Sequence, residues 1–151
     1  MDVIDTKAIQ ALTENGRITW ADLAALLGLS PPSAAERVRR LEERGVIRGY
    51  AALVDPEAVG LGLTAYIAVT LERPEHRAPF LERVRALDAV VECHHVAGEH
   101  DYLLKVRCRD TRDLERLVND EIKACPGLTR TITAIVLSTV KESPRLPLGA
   151  T

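Results

Sequence analysis

One stretch, Ile18 to Ile47, limits what this chain can become more than any other. It reads ITWADLAALLGLS and runs straight into PPSAAERVRRLEERGVI. The Thr19 hydroxyl can accept from an orphan amide of a helix that begins there, and Asp22, three residues on, can reach back. Leu23, Ala24, Leu26 and Leu27 then give that helix an apolar face. Gly28 can take the left-handed conformation that ends it. Ser30 is the next N-cap, and Pro31 fits a first helical position where no amide hydrogen is needed. In the helix that follows, Ala34, Val38 and Leu41 fall within roughly 60° of one another at about 100° per residue. Arg37, Arg40 and Arg44 form a second cluster of about the same width beside them. A short capped helix, a tight turn and a second capped helix with a basic flank are the pattern of a helix-turn-helix, whose second helix enters a DNA groove.

Charge tempers that reading. The chain is formally −2, and up to Gly60 seven Lys and Arg residues are outnumbered by nine acids. From Ser30 to Tyr50, however, five arginines face three glutamates. The same arginines could form a solvated face, with Glu36 and Arg40 as an i,i+4 pair. What decides for DNA is the capped helix and turn that precede them. Because the basic charge is local, affinity per copy should be modest and salt-sensitive. Presenting several copies to the duplex at once would strengthen it.

Ahead of this motif the spacing predicts a helix over Val3–Glu14, capped by Asp2, with Ile4, Ala8, Ile9 and Leu12 as its stripe and Gly16 as its end. Val46 to Val54 reads as an extended segment leaving a three-helix unit. Asp55-Pro56 breaks it, and Gly60-Leu61-Gly62 supplies a flexible joint. The expected division is a winged helix-turn-helix domain over 1–54, a linker over 55–62, a second domain over 63–142 and a tail over 143–151. The Pro and Gly content of that tail suggests disorder.

The second domain alternates with period 2. Leu63, Ala65, Ile67, Val69 and Leu71 interleave with Thr64, Tyr66, Ala68 and Thr70, as in a strand. A helix from Pro79 follows, with Phe80, Val84 and Leu87 on one face. Strands are expected over Val90–Val96 and Tyr102–Cys108, with a tight turn at Gly98–Asp101. A helix is expected over Thr111–Lys123, with Leu114, Leu117, Val118 and Ile122 in register, stopped by Pro126-Gly127. Thr129–Val140 closes as a strand. The order β-α-β-β-α-β is the split, ferredoxin-like arrangement, so the fold class is α+β. Two helices cover one face of a four-stranded sheet. The other face, with Tyr66, Ala68 and Val136 among its candidates, is too apolar for water alone and points to a homodimer.

Composition sets outer limits. A chain of 151 residues, 46% hydrophobic, can hold one medium domain or two small ones. No apolar run approaches the roughly 20 residues a bilayer needs, and the start lacks a signal-peptide pattern. Cys93, Cys108 and Cys125 are too scattered for a disulfide framework and are expected to be core filler in a reducing, cytosolic setting. On one strand His94 and His95 point to opposite faces, so together with Cys93 they do not make a metal site.

Read together, Arg17-Ile18-Thr19, Leu23-Ala24, Gly28-Leu29-Ser30, Arg37-Val38-x-x-Leu41-Glu42, Gly45-Val46-Ile47, Gly98-x-x-Asp101-Tyr102-Leu103-Leu104, Pro126-Gly127, Thr131-x-Thr133 and Lys141 carry a resemblance. The chain resembles the Lrp/AsnC family, the leucine-responsive or feast/famine regulators of bacteria and archaea. The resemblance implies a DNA-reading domain joined to an effector-binding domain that dimerises through its sheets and assembles further, often to an octamer. It implies an amino acid or related metabolite bound between dimers, double-stranded DNA as partner, no cofactor and no catalytic activity. Ser30, Ser33, Glu36 and Arg37 then fall where side chains reach base edges or phosphates, and Arg40 and Arg44 where they hold phosphates. Few of these residues read bases, so the deformability of A·T-rich sites should contribute to specificity. Gly98-Glu99-His100-Asp101 becomes the effector loop: turn amides for a carboxylate, Glu99 or Asp101 for an ammonium, with Thr133 an addition from the last strand. His100 departs from the bulky or aromatic residue common there, which raises the prospect of pH-dependent binding. Two alternatives stay open: a siroheme-decarboxylase-like enzyme on the same architecture, kept alive by His94-His95, and an effector-independent DNA-compacting protein.

Overall fold

The computed structural model describes residues 1–148, so the last three residues of the expected tail lie outside it. Its contacts group into two compact units, one made of Met1–Ala52 with the chain from Lys141, the other of Leu53–Val140.

In the first unit α1 spans Val3–Glu14, α2 Trp20–Leu27 and α3 Pro31–Glu43. Side chains set their beginnings. Asp2 accepts from the Asp5 amide at 2.8 Å and Asp5 accepts from the Asp2 amide at 3.0 Å, a reciprocal capping box. Thr19 caps α2 by accepting from the Asp22 amide at 3.1 Å; Asp22 answers by accepting from the Thr19 hydroxyl at 2.7 Å. Ser30 caps α3, with Pro31 in its first turn. Gly28, at φ 68°, ends α2 in the left-handed region that glycine enters without penalty. α1 stops one residue before the expected Gly16: Asn15 turns to extended backbone, and its side chain accepts from the Arg17 amide at 3.0 Å. The three helices enclose Ala8, Ala11, Leu23, Ala24, Leu27, Ala34 and Val38. After Gly45 the segment to Val54 forms no strand among the described residues, and Tyr50 donates to Glu42 at 2.7 Å. Burial, and then Glu42, pushes the Tyr50 phenol up to about 12. The described tail is not detached: Arg145 lies 3.6 Å from Glu14, and Gln10 donates to the Leu148 carbonyl at 3.5 Å.

In the second unit β1 (Leu63–Leu71) leads through a single tight turn to α4 (Arg77–Arg85), then β2 (Val90–His95), β3 (Tyr102–Cys108), α5 (Thr111–Arg116) and β4 (Leu128–Ile135). α5 runs on as a π-helical stretch over Leu117–Ile122. The strands pair antiparallel in the order β2-β3-β1-β4, the ferredoxin-like arrangement. Register places Ile67 of β1 between Leu104 of β3 and Thr133 of β4. The helices bury one face of the sheet around Ile67, Phe80, Leu104 and Ile122. β4 ends well before the expected Val140. Val136 still donates to the Thr64 carbonyl at 2.9 Å, but β1 begins at Leu63 and offers nothing beyond. Gly127 (φ 74°) has the His76 ring where a Cβ would be, so any larger residue there would force that ring to move and would strain the backbone.

The opposite face of the sheet carries Tyr66 and Ala68 from β1, Leu103 and Lys105 from β3 and Ile132 from β4. Tyr66 and Ile132 are exposed, whereas Lys105 is buried with its ammonium 3.4 Å from Glu92. No helix among the described residues is long and apolar enough to cross a membrane.

Candidate nucleic-acid interface and effector loop

Helix α3 carries the residues expected to meet DNA, and they divide into two groups. Arg40 keeps two thirds of its side chain in solvent although its Nε donates to Glu36 at 2.9 Å. Arg44 sits at the C-cap, where a cation favours the negative end of the helix dipole. Ser33 shares a 2.9 Å hydroxyl contact with Ser30, whose oxygen also accepts from the Ser33 amide. Glu36 is engaged from two sides, by Arg39 and then Arg40, and these hydrogen bonds hold its carboxyl below the usual range. Ser30 serves the helix itself, while Ser33, Glu36, Arg37, Arg40 and Arg44 all line a cleft of about 500 Å³ on its flank.

Arg37 behaves differently from its neighbours. Its Nη1 donates at 2.7 Å to Asp2 and, equally, at 2.7 Å to Asp5, so the guanidinium is turned onto the N-terminus of α1. Less than a third of the side chain is exposed. The capping amide of Asp5 and then Arg37 hold the Asp2 carboxyl down; Asp5 is held down by the Asp2 amide and then by Arg37, against the opposing cost of burial. Sequence spacing put Arg37 on the basic flank correctly, but its two partners lie 35 and 32 residues away and no periodicity announces them.

The loop from Gly98 to His100 joins β2 to β3, and Gly98, at φ 147°, occupies a region that favours glycine. Backbone bonds close it: Val96 donates to the Asp101 carbonyl and Asp101 to the Val69 carbonyl, each at 3.0 Å. The Asp101 carboxylate accepts from the Leu71 amide at 2.7 Å, tying the loop to the end of β1. Glu99 stands 3.5 Å from Arg130 and is well exposed. His100 Nδ1 lies 3.3 Å from the Thr70 hydroxyl. Thr133, on β4 opposite Ile67, is exposed and stands two strands across from the loop's own β3. The structure thus gathers Gly98, Glu99, His100 and Asp101 at one end of the sheet and sets Thr133 on a different strand.

His94 and His95 leave β2 in opposite directions. His94 meets Glu92 at 3.1 Å, whereas the His95 ring packs on Tyr102 with centroids 5.2 Å apart. Among the described residues no group of three or more His, Cys, Asp or Glu side chains is placed to hold a metal. The three thiols are free and at least half-buried, and burial pushes each of them up.

Residues 64–146 match the family described as the Lrp/AsnC ligand binding domain, and residues 1–48 match the winged helix-turn-helix DNA-binding family. The chain belongs to the Lrp/AsnC family. It is a transcriptional regulator of that family by architecture, with a DNA-binding domain ahead of a ligand-binding domain. Leucine-responsive regulatory proteins are similar along nearly the whole chain. That of Haemophilus influenzae is 39% identical over 150 residues, covering 98% of this chain and 90% of the relative. That of Escherichia coli K12 is 38% identical over 148 residues, covering 97% and 90%. A transcriptional regulator of Neisseria meningitidis, solved as a complex with L-Met, superposes with TM-score 0.94 at 36% identity, covering 97% of this chain and 96% of that one. A feast or famine regulatory protein of Mycobacterium tuberculosis complexed with L-methionine gives TM-score 0.89 at 38% identity, covering 96% and 97%.

Within the Lrp/AsnC fold, residue patterns did not reveal the ties that fix the loop over Gly98–Asp101. Leu71 contributes through its backbone amide, which no side-chain pattern can signal. Thr70 looked like one more outward residue of an alternating strand.

Proposed function

We propose that this Lrp/AsnC chain recognises particular DNA sequences and that an amino acid, or a close metabolite, controls its assembly and its occupancy of promoters. The observation that carries the reading is the pairing, in one chain, of a fully capped recognition helix with exposed Arg40 and Arg44 and a sheet whose loop is pinned by Asp101. Arg40, Arg44 and Ser33 are the groups offered to the duplex. Arginines at these positions hold phosphates, and the serine adds a short donor and acceptor at the start of the helix.

At the loop, backbone amides around Gly98 and Glu99 receive the effector carboxylate. Because Asp101 is occupied by the Leu71 amide, Glu99 is the better placed of the two acids to meet an ammonium group. The L-methionine complexes of two similar proteins, and the leucine-responsive regulatory proteins among the relatives, make methionine and leucine the first effectors to try. The apolar sheet face bearing Tyr66 and Ile132 is the dimer contact, and dimers assemble further toward an octamer. The protein works on the nucleoid in the cytoplasm, without a cofactor and without catalysing a reaction. An enzyme built around a tetrapyrrole would need its histidines on one surface, and His94 and His95 diverge.

A thermal-shift screen of amino acids and 2-keto acids tests this, followed by solution mass with and without each hit. The expected outcome is a stabilising amino acid that also shifts the mass distribution and the affinity for selected DNA. Uniform affinity for unrelated duplexes and no stabilisation by any amino acid would support the DNA-compacting alternative instead.

A further inference from the structure

We infer that Arg37 serves DNA recognition as a positioning residue: it locks the rotation of α3 on the N-terminus of α1 through Asp2 and Asp5, and it does not itself hold the duplex. The inference rests on the DNA-binding reading above and names how that site is kept in register.

All four oxygens of the two carboxylates are committed. One oxygen of each takes the other residue's backbone amide in the capping box, and the remaining oxygen of each takes Arg37 Nη1 at 2.7 Å. The clamp is thus continuous with the first turn of α1, whose positive dipole end also favours the two anions. A DNA phosphate competing for Arg37 would have to replace two pre-placed carboxylates. It would also leave them un-neutralised beside the polyanion, one of them, Asp5, nearly buried. That exchange is unfavourable on both counts.

The rest of the α1–α3 contact explains why such a lock is needed. Where these helices meet the core, α1 offers the buried Ala8 and Ala11 with Ile4 and Leu12 only partly buried, and α3 offers Ala34, Val38 and Leu41. On the α1 side the fully buried apolar positions are alanines, which let helices approach closely but present few ridges to set a rotation. A bifurcated ion pair from the middle of α3 to a fixed helix end supplies that missing constraint. It sets where Ser33 and Arg40 point, on the turns before and after Arg37.

The test exploits a contradiction in sign. Asparagine caps a helix about as well as aspartate, so Asp2→Asn with Asp5→Asn leaves α1 capped while removing two negative charges next to the DNA surface. A reader arginine held back by those acids would be released, and affinity would rise. A positioning arginine would lose its anchor, and sequence-specific affinity would fall despite the more favourable charge. The probes are a duplex selected by the wild-type protein from a randomised pool and a shuffled duplex of the same composition, titrated by fluorescence anisotropy over a salt series. Trp20 emission confirms that each variant is folded.

The double asparagine variant and Arg37→Gln are each expected to lose about tenfold or more on the selected duplex, the cost of a misplaced base contact. Affinity for the shuffled duplex should not weaken for the asparagine pair, and Arg37→Gln, which bares the two acids beside the duplex, should weaken it less than the selected duplex and at an unchanged salt slope. Arg40→Gln should instead weaken both duplexes and reduce the salt slope by about 0.9, the signature of one lost phosphate contact. Arg37→Lys, which keeps a donor within reach of the acids, should recover part of the specific affinity. The inference is overturned if Arg37→Gln behaves like Arg40→Gln, or if the asparagine pair binds the selected duplex more tightly than wild type. A wild-type protein that selects nothing from the pool overturns the DNA-binding reading and takes this one with it.

Discussion

The first unit encloses eight hydrophobic residues, four of them alanine, whereas the second encloses fourteen, with Phe80, Ile67, Leu104 and Ile122 at its centre. Small side chains contribute little transfer free energy, so the first unit relies on directional contacts: the Asp2–Asp5 box, the Thr19 and Ser30 caps and the Arg37 clamp. The second unit relies on apolar area and on a four-stranded ladder. The half proposed to meet DNA is therefore held by interactions that have one good geometry, and the half that carries the ligand-binding fold by interactions that tolerate small adjustments.

The sharpest way to break this comparison is Phe80→Ala. Emptying a fully buried aromatic site at the centre of the second unit should cost about 3–5 kcal/mol, followed by far-UV circular dichroism in urea. Trp20, the single tryptophan, reports the first unit alone, and its transition midpoint should stay near that of wild type. A common shift in both signals would mean that the units do not differ in the way described. Smaller in effect is Asp101→Ala, which strips an ionised acceptor from the Leu71 amide and should cost about 2 kcal/mol. Asp101→Asn keeps an acceptor and should recover most of that. If Asp101→Asn instead abolished effector binding at full stability, the carboxylate charge itself would belong to the ligand site.

Smallest is the acid response of the first unit. The Asp5 carboxyl is held below its ordinary 3.8, so the stabilisation it gives is complete above that value and is lost as pH falls through the lower, folded-state value. Trp20 emission in mild urea should show that loss, and Asp5→Asn should flatten it.

What could be read from the sequence follows the same division. α1, α2 and α3 begin where expected because Asp2, Thr19 and Ser30 act on amides three residues away. β1 and β3 match their alternation to the residue, since both are central strands paired on each side. β4 did not: alternation continues through Val140, but a strand ends where its partner ends, and that limit lies about seventy residues earlier in the chain, at Leu63. The Arg37 clamp and the Asp101–Leu71 tie stayed hidden for the same reason, each linking residues at least thirty positions apart. The tail shows it too: Pro and Gly content reports the local chain, not the contacts that Glu14 and Gln10 offer.

The wide turns over Leu117–Ile122 have one more implication. A π-helical segment holds an extra residue compared with an α-helix of the same span. Leu117, Val118 and Ile122 nevertheless all stay buried. Here the polypeptide keeps slack: a one-residue deletion could be absorbed by rewinding to the tighter helix, leaving β3 and β4 in their places.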